Sequence, residues 1–239
     1  MATSRTYDDP CGVARALDSI GERWALLVVR ELLYGPKRFR DLLRGLAGIS
    51  QNVLAERLRE LERAAVVRRE LLGPPASVAV YQLTDRGAAL RPVIVELGRW
   101  GGRLPLASGR NLTPDALVLA LETTYDATRA PGLRASVGLH IDGDRFLLEA
   151  AGGALRATRA DPAAADAVLT ADAATMRDLA FLGSSPEALR GAGRLLVEGD
   201  AAVAERLLSC FPRPTPPPPS TRIGPRAGYN PGQAPPGRS

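Results

Sequence analysis

The chain has 239 residues, 45% hydrophobic and 24% charged, with a net charge of +5, a composition that suits one large or two small globular units. Two cysteines and one histidine are too few for a disulfide framework, a zinc site or a histidine-based nucleophilic triad, and no cofactor or metal is expected. The opening Met1–Arg5 runs into polar residues, and the densest apolar run, Ala25–Val29, is far too short to span a bilayer. No secretory leader and no membrane association are therefore expected, and the cytoplasm is the expected location.

Charge is unevenly placed. Residues 1–103 carry a net +5, residues 104–210 a net −4, and the last 29 residues a net +4. One globular part can thus face a polyanion while the other does different work. From Phe211 onward the chain is Pro-rich and poor in apolar surface, which reads as a disordered tail over 211–239. Gly101-Gly102-Arg103-Leu104-Pro105, followed by Ala107-Ser108-Gly109, reads as a linker. Two folded units are expected, over 1–103 and 111–210.

In the first unit, Val13, Ala14, Ala16, Leu17 and Ile20 suit a short helix ending at Gly21. Glu22–Tyr34 reads as a second helix, apolar on more than one side and hence central and buried, stopped by Gly35-Pro36. A short helix over Phe39–Arg44 follows, and then Ser50 as the N-cap of a helix over Gln51–Ala65 that buries Leu54, Leu58 and Leu61. The alternating stretches Val66–Leu72 and Val78–Leu83 form a hairpin. Thr84 caps a last helix, Asp85–Trp100, which Pro92 should bend. Three short helices, a hairpin and a long terminal helix make a winged helix-turn-helix with an added dimerisation arm.

The residues also resemble a known family. Cys11–Leu17, Ile20-Gly21-Glu22-Arg23-Trp24, Arg30-Glu31-Leu32, Gly35–Phe39, Ile49–Leu54, Arg57–Glu62, Tyr81–Gly87 and Trp100-Gly101 follow, in order and spacing, the pattern of HxlR-type regulators. That resemblance implies a homodimeric bacterial repressor or activator on palindromic operator DNA. Ser50 starts a helix whose first turn faces the groove, where Gln51 and Asn52 can make bidentate contacts to adenine edges and Arg59 can reach guanine or phosphate. Lys37, Arg38 and Arg40 suit phosphate clamps, and Arg68, Arg69 and Ser77 lie on or beside the wing. Arg57 is counted with the DNA-facing set, although its place at the edge of the buried stripe also suits an internal ion pair. Leu90, Val93, Ile94 and Leu97 form the stripe of the dimer interface, with Leu17 of the first helix. Some members of the family sense electrophiles or oxidants through a cysteine at the position of Cys11. The start of a helix there favours a thiolate, while Asp8 and Asp9 oppose it.

The second unit reads as α+β. A helix opens at Thr113-Pro114-Asp115, strands follow from Ala135 to Thr170, helices run over Ala173–Leu182 and Glu187–Ala192, and a strand Arg194–Glu198 precedes a helix Asp200–Cys210. Antiparallel strands covered on one face are expected. The unit is similar to sterol carrier protein-type domains in Asp172–Met176, Leu182-Gly183 and Leu196–Asp200. The resemblance implies an apolar pocket for a hydrophobic effector, with Leu121, Tyr125, Leu139, Phe146, Met176, Leu179 and Phe181 as candidate lining or as plain core. The acids of the unit suit turns and caps, and no enzymatic constellation is visible. The leading reading is a DNA-binding regulator responsive to a hydrophobic molecule. The alternatives are a carrier or sequestering protein with a secondary DNA-binding half, and a redox-sensing repressor acting through Cys11.

Overall fold

The structure, a computed structural model, describes residues 6–73, 78–102, 104 and 111–212. Ser77, most of the expected linker and residues 213–239 lie outside the described residues.

The first unit follows the expected order with two local departures. Helix α1 spans Gly12–Ile20, and α2 spans Ala25–Leu32 rather than starting at Glu22. The reason is Trp24, which adopts a left-handed backbone (φ 78°) and turns the chain between the two helices. Such a conformation is costly for a bulky residue, and no helical periodicity signals it. Helix α3 (Phe39–Gly45) and α4 (Gln51–Arg63) come next, and Ser50 caps α4 by accepting a hydrogen bond from the Val53 amide, 3.3 Å. Strands β1 (Val67–Leu72) and β2 (Val78–Leu83) pair antiparallel, Val67 opposite Leu83. The expected terminal helix is in two pieces, α5 (Asp85–Ala88) and α6 (Arg91–Gly101). Pro92 stands in the first turn of α6, where its missing N–H has no intrahelical role, so it opens a new helix rather than bending an old one.

In the second unit, α7 (Pro114–Thr124) is capped by Thr113, whose hydroxyl accepts from the Ala116 amide. Strands β3 (Ala135–Ile141), β4 (Asp144–Ala151), β5 (Ala154–Thr158), β6 (Ala167–Ala171) and, after two helices, β7 (Leu196–Gly199) form one sheet of order β5-β4-β3-β6-β7. The expectation of an antiparallel sheet needs one correction: β6 returns beside β3 and runs parallel to it. The return segment crosses Gly138, where a Cβ would lie 2.4 Å from Pro162, so that crossing requires glycine. Helix α8 (Ala173–Arg177) runs into a π turn over Asp178–Leu182, then α9 (Pro186–Gly191) precedes β7, and α10 (Ala201–Leu208) follows it. Helix α7 packs on β5, and α10 on β3 and β6. Phe211, assigned to the tail by composition, is buried with its ring 6.2 Å from that of Tyr125, so the folded unit reaches at least that far.

The two units share one apolar core. Helix α7 packs against both α2 and α6, and Gly98 of α6 comes so near Thr123 of α7 that a Cβ would lie 2.9 Å from its methyl carbon. The two expected units are therefore in direct contact, with α7 of the second seated on α2 and α6 of the first.

Candidate nucleic-acid interface and the contact between the units

The first turn of α4 is open. Ser50, Gln51 and Asn52 are exposed, and the helix is held from behind by the fully buried Leu54, Leu58 and Leu61. Arg59 is exposed on the same helix and pairs with Glu56, which Arg63 approaches at 3.5 Å. Pairs this exposed contribute at most about 1 kcal/mol, so Arg59 is free to exchange Glu56 for another acceptor. Arg38 and Arg40, at the start of α3, are exposed and have no ion-pair partner among the described residues. Arg68 and Arg69 are exposed on β1, with Arg68 3.7 Å from Glu70.

Two of the expected DNA-facing cations point inward. Arg57 is buried, pairs with Glu60, and approaches Glu22 at 3.6 Å. Lys37, the only lysine in the chain, has its ammonium 2.6 Å from Glu31 and 2.7 Å from Asp115 and is only 14% exposed. Its charge is taken up between two buried carboxylates, so it is not among the cations offered to a phosphate backbone.

Lys37 leads into the contact between the units. Glu31 is fully buried at the end of α2, where its carboxylate accepts from Arg30 at 2.6 Å, from Lys37, and from the Thr113 hydroxyl at 3.0 Å. Burial alone would raise its pKa, but the charges of Arg30 and Lys37 and the hydrogen bonds from Lys37 and Thr113 outweigh burial and hold it below the ordinary carboxylate value. Asp115 accepts a two-pronged contact from Arg159, at 2.9 and 3.0 Å, and Arg159 also pairs with Asp144. Arg30, Glu31, Lys37, Asp115, Arg159 and Asp144 thus form a chain of alternating sign across the boundary. All of these but Arg30 border a polar cleft of about 340 Å³ that also includes Asp41, Arg44 and Gly45.

A second cluster centres on Glu122 of α7. Its carboxylate accepts from the Tyr34 hydroxyl at 2.5 Å, from Arg91 at 2.5 and 2.6 Å, and from the Ala157 amide at 2.9 Å. Burial first, and then the charge of Glu122, push the Tyr34 hydroxyl far above its ordinary pKa, so it is a permanent donor. The Tyr34 ring lies edge-on to Phe146 at 5.8 Å, and Arg91 stands over its face. No ion-pairing role was expected for Tyr34, Arg91 or Glu122, nor for Glu31 or Asp115. One signal was present: a carboxylate in the last turn of a helix that is apolar on all sides must find a partner.

The candidate pocket residues Leu121, Leu139, Phe146, Met176, Leu179 and Phe181 are all buried in the shared core, with Tyr125 packed against its edge. Each such burial is worth roughly 1.5–3 kcal/mol, enough to explain these residues as core without a ligand. The dimer candidates divide. Val93 and Leu97 are about half exposed, and Trp100, on the same side of α6, is more so; Leu17 is 40% exposed, Leu90 is half-buried, and Ile94 is buried in the chain's own core. Cys11 is exposed, and hydrogen bonds from the Val13 and Ala14 amides lower its pKa, whereas Cys210 is buried and raised chiefly by that burial.

The comparisons with known proteins follow this division of the chain. The model of the HxlR-like helix-turn-helix family matches residues 19–106. The uncharacterized HTH-type transcriptional regulator YvaP of Bacillus subtilis (strain 168) is 41% identical over 87 residues, 36% of this chain and 80% of that protein. The chain belongs to the HxlR-like helix-turn-helix family. The HTH-type transcriptional regulator YodB of the same organism is 40% identical over 85 residues, 36% of this chain and 76% of YodB. The solved reduced form of YodB is 37% identical and covers 39% of this chain and 92% of that one, with a TM-score of 0.36. The HxlR-like part is therefore the DNA-binding module of a transcriptional regulator. The SCP-2 sterol transfer family model matches residues 116–211. Among the described residues no helix is long and apolar enough to cross a membrane, and no group of three or more potential ligands is placed to hold a metal.

Proposed function

We propose that the chain acts in the cytoplasm as a homodimer that reads palindromic operator DNA with α4, and that the SCP-2-like unit takes an apolar small molecule whose binding alters DNA affinity. The reading involves no catalysis. The observation that carries it is the open first turn of α4, with Gln51 and Asn52 exposed at its start and Arg38 and Arg40 exposed on α3. In such a module the helix start reads base edges and the flanking arginines hold phosphates. The dimer rests on Leu17, Val93 and Leu97, large apolar side chains left half exposed. The effector rests on the SCP-2 match alone.

The test begins with sequencing the DNA fragments that the purified chain retains. On the fragment selected, Asn52→Ala and Arg59→Ala are each expected to reduce discrimination against a mismatched site by about 1–3 kcal/mol. Arg38→Ala and Arg40→Ala should weaken all DNA alike and lower the slope of log affinity against log salt by about 0.9 for each phosphate no longer neutralised. Full affinity and specificity in both α4 variants would move the reading surface elsewhere.

A second reading, redox control through Cys11, is favoured by that thiol's exposure and lowered pKa at the start of α1. Iodoacetamide is expected to label native protein once, at Cys11, and to reach Cys210 only on unfolding; peptide mass mapping checks this. If the alkylated protein and Cys11→Ser both bind the operator like the wild type before and after oxidant, the redox reading fails.

A further inference from the structure

Lys37 makes contacts in two opposite directions. Its backbone exchanges two hydrogen bonds with Tyr81 of the wing, its amide donating at 2.9 Å and its carbonyl accepting at 2.8 Å. Its side chain points to the two buried carboxylates, Glu31 of α2 and Asp115 of α7. The next residue, Arg38, is the N-cap of α3, and Arg40 lies in that helix's first turn. One residue thus ties together the wing, the start of α3, the end of α2 and the start of α7. The other end of α3 meets the same cluster, because Gly45 lies so near Glu31 that a Cβ there would fall 2.3 Å from its carboxylate.

Asp115 is the member that comes from the other unit, and it is 1% exposed. It stands between two cations, Lys37 at 2.7 Å and Arg159 at 2.9 Å. Without its charge, Lys37 and Arg159 face each other in a poorly hydrated site with no anion between them, and their repulsion is weakly screened there. Of the two, Lys37 is the one whose displacement reaches the DNA-facing elements, because its backbone is paired with Tyr81 of the wing and it directly precedes the N-cap of α3.

We propose that Asp115 and Lys37 are positioning residues for DNA binding: through their ion pair, the start of α7 holds α3 and the wing in the arrangement that grips the duplex. The proposal rests on the DNA-binding reading above and deepens it, since it makes the sterol-carrier-like unit part of the DNA-gripping surface's support. It also runs against simple electrostatics. Removing an acid from a protein that binds a polyanion should strengthen binding, whereas here the loss of Asp115 weakens it.

The experiment uses the full chain and a DNA fragment that the wild type retains, with anisotropy titrations over a range of salt at a temperature well below unfolding. Asp115→Asn is expected to lose about 5- to 150-fold in affinity, with the salt slope unchanged because every phosphate keeps its cation. Lys37→Met should do the same, and the double variant should be no weaker than the worse single one, as two residues acting through one ion pair require. Arg38→Ala gives the contrasting result of a lower slope. Unchanged or increased affinity in Asp115→Asn overturns the proposal. So does a reduced slope in Lys37→Met, which would make Lys37 a phosphate ligand; this arm decides the matter even if Asp115→Asn does not fold. A wild-type chain that retains no DNA fragment overturns the DNA-binding reading, and this one with it.

Discussion

Glu122→Ala is expected to destabilise the whole chain by about 3–5 kcal/mol, the range for breaking a buried, hydrogen-bonded ionic cluster from one side. Its carboxylate serves Tyr34, Arg91 and the Ala157 amide at once. The alanine variant leaves the buried Tyr34 hydroxyl and the Ala157 amide without their acceptor, and Arg91 without its counter-ion. Neither the Tyr34 hydroxyl nor the Ala157 amide, both buried, can turn to water without opening the packing around them. The loss should appear as a large drop in the urea midpoint monitored by circular dichroism. Both units should unfold in a single transition, because the cluster lies between them. Two separated transitions in the wild type would mean that the units fold independently, and a shift below about 1 kcal/mol would mean that the cluster is compensated by water.

Leu97→Glu should have the other large effect. Val93, Leu97 and Trp100 lie four and three residues apart on one side of α6, 52%, 47% and 63% exposed. On a small unit such a stripe is costly unless something covers it. A second copy of the chain is the covering surface in our reading, and a carboxylate at its middle would be desolvated without a partner. Light scattering should then report a monomer. Operator affinity should fall by about 10²- to 10⁴-fold, the advantage of binding two linked half-sites over one. A Leu97→Glu chain that stays dimeric would place the interface on another face. A monomer that keeps full operator affinity would show that one copy is enough.

Much of the fold was legible because its local signals are strong. Ser50, Thr113, Asp172 and Asp200 each stand one residue before a helix and each accepts backbone hydrogen bonds there, as their residue types foretell. The buried stripe of α4 follows from helical period. Trp24 was not legible, because no local preference favours a left-handed backbone at so bulky a residue. The split at Pro92 was half legible: proline marks the place, but only the neighbouring helices decide between a bend and a new start.

The candidate site divides in the same way. The exposure of Gln51, Asn52 and Arg59 was legible because it follows from the helical period of α4. Lys37 was placed on the DNA side, and charge does not reveal that its acceptors are Glu31 and, 78 positions later, Asp115; the internal ion pair weighed for Arg57 is the one it makes, with Glu60 on the same helix. The same blindness hid the union of the two units. A glycine- and proline-rich stretch at 101–109 reads as a spacer whether or not the elements on either side of it touch. Cutting the chain there would therefore expose the apolar flank of α2 and α6 along with Glu31, and the remaining piece would not be a clean DNA-binding module.

The burial of Glu31 also carries a message about time. This carboxylate is synthesised early, yet Thr113 and Asp115, which help close it off, emerge some eighty residues later, and Arg159 later still. Units of a growing chain tend to collapse in order of synthesis, so the winged helix first forms around a carboxylate still in contact with solvent. Only when α7 has docked is that water expelled. A nascent or cleaved chain stopped short of that point would retain α4 while lacking the brace behind α3 and the wing.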